Sequence, residues 1–282
     1  RRPVILAGRP EGLKPTMAEQ RTAIVTGASS GIGRAIAVAF GGLGWRVGVG
    51  ARRVAPLRHA ADEVKAAGGE AFAHALDVTD PSSAHTFFTA VEAVFGPVDV
   101  LVNNAGMSTP GRFHEVAVDA LQQEVATNLL GPMYLSRLAI ASLLGRGAPG
   151  DLVFISSDAS RQPRPRMVAY TATKAGLEAM ARALAMELEG TGIRPTTIRL
   201  GPTLSDFAAH WSSDELWELM TYWPRYGLQR HLATLEPAAV ARAVVTAVTT
   251  PPGVHIDTIE VQPEAPVAVE EPASEPEPPP AP

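Results

Sequence analysis

Thr22-Ala23-Ile24-Val25-Thr26-Gly27-Ala28-Ser29-Ser30-Gly31-Ile32-Gly33 is the stretch on which the fold turns. Its first five residues form a short run of β-branched and apolar side chains, the pattern of a buried strand. Three glycines follow at once, and from Arg34 to Leu43 the Ala/Ile/Val/Phe spacing is helical. Strand, glycine turn and helix together make a nucleotide site. The small residues let a pyrophosphate approach the helix N-terminus, where free N–H groups and the helix dipole favour negative charge.

Working outward, Arg46–Gly50 reads as a second strand ending in Ala51-Arg52-Arg53. An acidic residue near this point would bond a ribose 2′-OH. Two guanidiniums stand there instead, and they suit a 2′-phosphate, so NADP(H) is favoured over NAD(H). A helix over 55–67 stops at Gly68-Gly69, and a third strand over 71–76 ends at Asp77. Asp77 faces the nucleotide side and could accept from an adenine amine, or serve simply as a turn residue. Thr79 or Asp80 would cap the helix that begins near Pro81. A fourth strand, 98–102, runs into Asn103-Asn104-Ala105-Gly106, whose small residues allow close approach to a ligand.

Residues 116–144 read as one long helix with Asn128 in its middle, where Asn is mildly unfavourable. A fifth strand, 151–155, ends in Ser156-Ser157. After a loop carrying Arg161, Arg164 and Arg166 comes a helix with Tyr170 and Lys174 at i, i+4 spacing, hence on one face. An ammonium beside a phenol would lower the Tyr pKa and make it a usable proton donor or acceptor. Ser157 at a strand end and Tyr170 on the next helix can converge on one crevice. The arginine loop reads as a solvated basic loop, or as a draw for an acidic substrate. A sixth strand covers 193–200, a helix 236–248 and a last strand 254–261. Between them, residues 205–231 hold three of the four Trp residues. That insertion is either a lid over an apolar substrate or ordinary helix packing. Strands alternate with helices throughout, which predicts one α/β, doubly wound, mostly parallel sheet in a single domain over 20–262.

The chain has 282 residues, 46% of them hydrophobic, a net charge of −5 and no Cys. Disulfides and thiolate chemistry are excluded, and no nucleic-acid footprint shows. The seven His residues are scattered, so no metal is expected. No apolar run reaches the ~18 residues of a membrane span. Residues 1–19 read as a disordered leader and the Pro/Glu-rich 263–282 as a disordered tail. The cytoplasm is the expected location.

Thr26-Gly27-Ala28-Ser29-Ser30-Gly31-Ile32-Gly33, Asp77-Val78, Asn103-Asn104-Ala105-Gly106, Asn128, Ser157 and Tyr170-x-x-x-Lys174 stand in the order and spacing of the short-chain dehydrogenase/reductase family, which the chain resembles over 20–262. The resemblance implies a Rossmann-type sheet of about seven strands. It implies Tyr170 as acid/base during hydride transfer, Lys174 lowering the Tyr pKa and bonding the nicotinamide ribose, Ser157 polarising the carbonyl, and Asn128 supporting a proton relay. Gly27, Ser29, Ser30, Gly31, Ile32 and Gly33 would line the phosphate and ribose site. Asp77 and Val78 would meet adenine, Asn104 with Ala105 and Gly106 the adjacent ribose region, and Thr203 the nicotinamide carboxamide. Where the family has Pro-Gly after the sixth strand, this chain has Leu200-Gly201 and then Pro202. The implied substrate is a small carbonyl or alcohol, and the implied assembly a homodimer or homotetramer. Two other readings stay open: an NAD-preferring alcohol dehydrogenase, and a non-catalytic nucleotide-sensing protein on the same fold.

Overall fold

The computed structural model describes residues 20–265 except 210, 229 and 230. The expected leader and the tail beyond 265 lie outside the described residues. The first half of the chain runs β1 (Thr22–Thr26), α1 (Gly31–Gly42), β2 (Arg46–Ala51), α2 (Val54–Ala66), β3 (Glu70–Ala75), α3 (Pro81–Phe95) and β4 (Val100–Asn103). The second runs α4 (Val118–Val125), a π-helical turn (Ala126–Leu130), α5 (Gly131–Gly145), β5 (Gly150–Ser157), α6 (Val168–Glu187), β6 (Ile193–Leu200), α7 (Ser213–Tyr222), α8 (Pro237–Val248) and β7 (Thr258–Val261). The seven strands form one sheet in the order β3-β2-β1-β4-β5-β6-β7, every neighbouring pair parallel. The order reverses at β1/β4, and a crevice opens there beyond the strand ends.

The central strands are apolar throughout because both faces of the sheet are covered. Ala23 and Val25 of β1, Val100 and Val102 of β4 and Val153 and Ile155 of β5 pack toward α1, α2 and α8. The intervening Ile24, Leu101, Leu152 and Phe154 pack toward α3, α5 and α6 with Phe87, Leu135 and Leu177. Among the described residues, no helix is long and apolar enough to cross a membrane.

The structure differs from the sequence reading in two places. The expected single helix over 116–144 is two helices joined by the π-helical turn at Asn128. Pro132 supplies the reason. It has no N–H to bond the Asn128 carbonyl four residues back, and its ring crowds that carbonyl. The last strand begins at 258 rather than 254. Opposite the missing part lies Pro195, which cannot donate to a ladder. Its carbonyl accepts instead from the His255 ring at 2.7 Å, and Thr196 Oγ1 donates to the Ile256 carbonyl at 2.8 Å.

Candidate active site

The glycine turn is held from behind. Thr26 Oγ1 accepts the backbone N–H groups of Asn104 and Ala105, both at 3.0 Å, and the Asn104 amide donates to the Thr26 carbonyl at 2.8 Å. Gly27 has φ +65°, open to glycine at no steric cost. At Gly33 the constraint is space: a Cβ would lie 2.5 Å from both Asn104 Nδ2 and the Gly27 carbonyl oxygen. The turn delivers the chain into α1 with Ser30 as N-cap, and the Ser30 side chain makes no capping bond. The first turn of α1 carries no acid either. The N-terminal N–H groups of a twelve-residue helix are therefore left for a ligand.

Those groups face a cleft of about 890 Å³, and every residue singled out above as a cofactor contact lines it, as does Ser157. Arg52 and Arg53 are exposed on its wall at the end of β2. Asp77 Oδ1 is tied into its own turn by the Thr79 N–H at 3.0 Å and the Thr79 hydroxyl at 2.7 Å. Burial alone would raise its carboxyl; those bonds and Arg52 outweigh burial and hold it below the usual carboxylate range.

Deeper in, β5 ends at Ser157 and α6 brings Tyr170 and Lys174 across from it. Lys174 is buried, and its Nζ donates to the Ile155 carbonyl at 2.7 Å and lies 5.6 Å from the Tyr170 ring centroid. Burial pushes its ammonium down to about 8, against the pull of Glu124 and Glu178. The expected lowering of the Tyr170 pKa does not hold. Burial raises the phenol above its ordinary value, and contact with Ser157 only partly offsets this, while Asp158 and Glu124 add to the rise. Lys174 is not among the groups that lower it; its Nζ lies 5.6 Å from the Tyr170 ring centroid and donates to the Ile155 carbonyl. Asn128 is buried behind the cleft. Its Oδ1 accepts the Met107 N–H at 2.9 Å and its Nδ2 donates to the Met107 carbonyl at 2.8 Å, clamping the loop that passes Lys174.

The reading of 158–167 as a solvated basic loop fits Arg161 alone. The Arg164 side chain is 6% exposed and the Arg166 side chain 10%. Neither is free to draw an acidic substrate: Arg164 pairs with Asp158 at 2.5 Å and Arg166 with Glu218 at 3.2 Å. The aromatic insertion divides. Phe207 packs on Tyr170 with ring centroids 5.3 Å apart and on Trp211 at 5.7 Å, and Trp211 Nε1 donates to the Ser108 carbonyl at 3.0 Å. Phe207, Trp211 and Trp223 line the cleft, whereas Trp217 and Tyr226 point outward, 73% and 63% exposed.

Sequence reasoning missed several residues. Thr26 carried a signal, a hydroxyl at the strand end directly before the glycines. Glu178 also carried one, standing one turn after Lys174. Its carboxylate accepts from Ser156 at 2.8 Å, Ser160 at 2.6 Å and Arg199 at 2.6 Å, which fixes both sides of Ser157. Burial would raise Glu178, and the bonds from Arg199 and the two serines outweigh it. Buried Glu124 and half-buried Asp158 gave no local signal.

A sequence profile described as short chain dehydrogenase matches residues 21–216. A short chain dehydrogenase of Pseudocercospora fijiensis is 37% identical over 191 residues, 67% of this chain and 62% of that relative's length. An NADPH-dependent aldehyde reductase-like chloroplastic protein of Arabidopsis thaliana is 34% identical over 214 residues, covering 70% of this chain and 78% of the relative. The solved structure of a metagenomic short-chain oxidoreductase in complex with NADP is 32% identical, with a TM-score of 0.72 over 88% of this chain and 100% of that one.

Proposed function

Because the chain belongs to the short-chain dehydrogenase family, we propose that it is an NADP(H)-dependent oxidoreductase interconverting a carbonyl and an alcohol on a mostly apolar small molecule. One observation carries the reading: the open N-terminus of α1, the Tyr170 phenol and the Ser157 hydroxyl share a single cleft. The cleft fits a dinucleotide. The unspent N–H groups of α1 suit a pyrophosphate, and Arg52 and Arg53 suit a 2′-phosphate. The bound cofactor supplies or accepts the hydride. The chain's own groups handle the proton and the developing charge. Ser157 donates to the carbonyl oxygen as charge grows there. Tyr170, kept protonated by burial, is the proton donor to that oxygen in the reductive direction. Lys174 steadies the β5 end beneath them, and Asn128 fixes the loop alongside. Phe207, Trp211 and Trp223 offer the substrate an apolar wall.

We extend the proposal to a homodimer or homotetramer. Val168, Ala172, Ala179, Ala183 and Met186 form an exposed stripe of apolar and small residues along α6, which suits close packing against a copy.

The test is thermal unfolding with NADPH, NADH, NADP and NAD in parallel. A ligand at a hundred times its dissociation constant adds about 2.7 kcal/mol of stability. Stabilisation by the phosphorylated pair, reversed toward NADH in Arg52→Asp, is the expected result. Stabilisation by NAD and NADH instead would overturn the cofactor assignment and keep the enzyme. No shift with any of the four would overturn the reading.

A further inference from the structure

We propose that Arg164 is a positioning residue that ties the 205–231 lid to Ser157, so that closure over the substrate and placement of the serine hydroxyl depend on one guanidinium. The inference rests on the role just proposed for Ser157 and on reading 205–231 as a lid. On one side, Arg164 Nη2 donates to Asp158 Oδ2 at 2.5 Å, and Asp158 Oδ1 accepts from the Ser157 hydroxyl at 3.2 Å. On the other, Arg164 Nη1 donates to the Leu228 carbonyl at 2.7 Å, and the guanidinium lies 5.3 Å from the centroid of the Trp223 ring. Its backbone N–H donates to Thr171 Oγ1 at 3.2 Å, beside Tyr170 on the first turn of α6.

The end of β5, the start of α6 and a segment 64 residues further on thus meet at one residue with a buried cation. A buried guanidinium is costly unless its donors are all met, so its partners must keep their places relative to one another. The same connection is reinforced nearby. Trp223 Nε1 donates to the Pro165 carbonyl at 3.3 Å, and Arg166 pairs with Glu218 while lying 4.8 Å from the Tyr222 ring centroid. Arg166 takes φ +71°, a conformation non-glycine residues rarely adopt, so this loop is held by its contacts rather than by local preference. Burial pushes the Asp158 carboxyl up and Arg164 is the largest group opposing it, so the pair matters to both partners. A lysine would bring the charge without the fork and could serve one side only.

That difference gives the test. The full chain is assayed with NADPH and 1-phenylpropane-1,2-dione, and lid opening is followed separately by the rate of tryptic scission after the exposed Arg225. Arg164→Met should speed scission, raise KM and lower kcat, each by about ten-fold, the effect of losing one charge-assisted bond at each end. Arg164→Lys should keep kcat within about three-fold of wild type while KM and scission rise, since a point charge can hold Asp158 without reaching Leu228. Asp158→Asn should lower kcat with scission unchanged. A role in general stability alone would move all three readouts together in every variant, and that pattern overturns the proposal. So does scission of Arg164→Met at the wild-type rate. If Arg164→Met does not fold, the opposite splits in Arg164→Lys and Asp158→Asn still decide. If Ser157→Ala keeps full turnover, the reading of Ser157 fails on its own, and the scission rates still judge the tie to the lid.

Discussion

The two halves of the cleft are built from different materials. On the β1/α1 side the contacts offered to a ligand are largely backbone: glycines, a helix N-terminus and strand ends held by Thr26 and Asn104. On the β5/α6 side they are side chains, with Tyr170, Phe207, Trp211 and Trp223 drawn from segments far apart in sequence. A backbone site tolerates almost no added atoms, because its shape is the main chain itself. A side-chain site can be rebuilt residue by residue without disturbing the sheet, so substrate choice can change on this scaffold while the cofactor stays the same.

Tyr170→Phe is the strongest test of that separation. Turnover should fall by about 10²–10⁴-fold, the usual contribution of a positioned acid, while NADPH still raises the melting temperature as in wild type. If cofactor stabilisation fell as well, the halves would not be separable. Lys174 stands at the seam. Its folded pKa, about 8, lies below the ordinary 10.5, so between these values the unfolded chain binds more protons and stability rises with pH. The full rise is about 3 kcal/mol, absent below pH 8 and complete above 10.5. Urea midpoints over this range should climb in wild type and stay flatter in Lys174→Met. Gly33→Ala attacks the backbone half. The added methyl has no room against Asn104 and Gly27, which should cost about 1–3 kcal/mol in urea unfolding and weaken NADPH binding. The smallest effect belongs to the outer face of α7. Trp217→Ser should leave stability within about 0.5 kcal/mol and NADPH binding unchanged, because the ring is mostly in water. A large loss there would mean that this face of α7 has a partner.

The same division decides what could be read in advance. The sheet was legible because each central strand is an apolar run ended by small residues, and the glycine turn because its signal lies within a dozen neighbours. Asp80 capping α3, with its carboxylate on the Ser82 N–H at 2.8 Å, was legible for the same reason. The break at Asn128 had a local cause, Pro132, which the helical spacing around it outweighed. Arg164 had no local cause. A Pro- and Arg-rich loop reads as solvated, and what packs on Arg164 is Trp223 and the Leu228 carbonyl, the latter 64 residues later. The Tyr170 phenol misled for a related reason. Its i+4 lysine was visible, but the burial and the Asp158 and Glu124 charges that raise it come from other elements.

The π-helical turn at Ala126–Leu130 also preserves a phase. An α-helix closes a turn in about 3.6 residues and the i→i+5 turn takes in about one more, so the extra residue is absorbed inside the turn and α5 keeps the phase it would have without it. Leu135, Ala139 and Leu143 of α5 face the core in this phase. Deleting one residue inside the regular α5 would carry the part of the stripe beyond it off the sheet, whereas deleting one inside the π turn would leave the stripe in place. The turn is therefore where this stretch can change length by one residue without losing register, at the expense of the Asn128 bonds to the Met107 backbone.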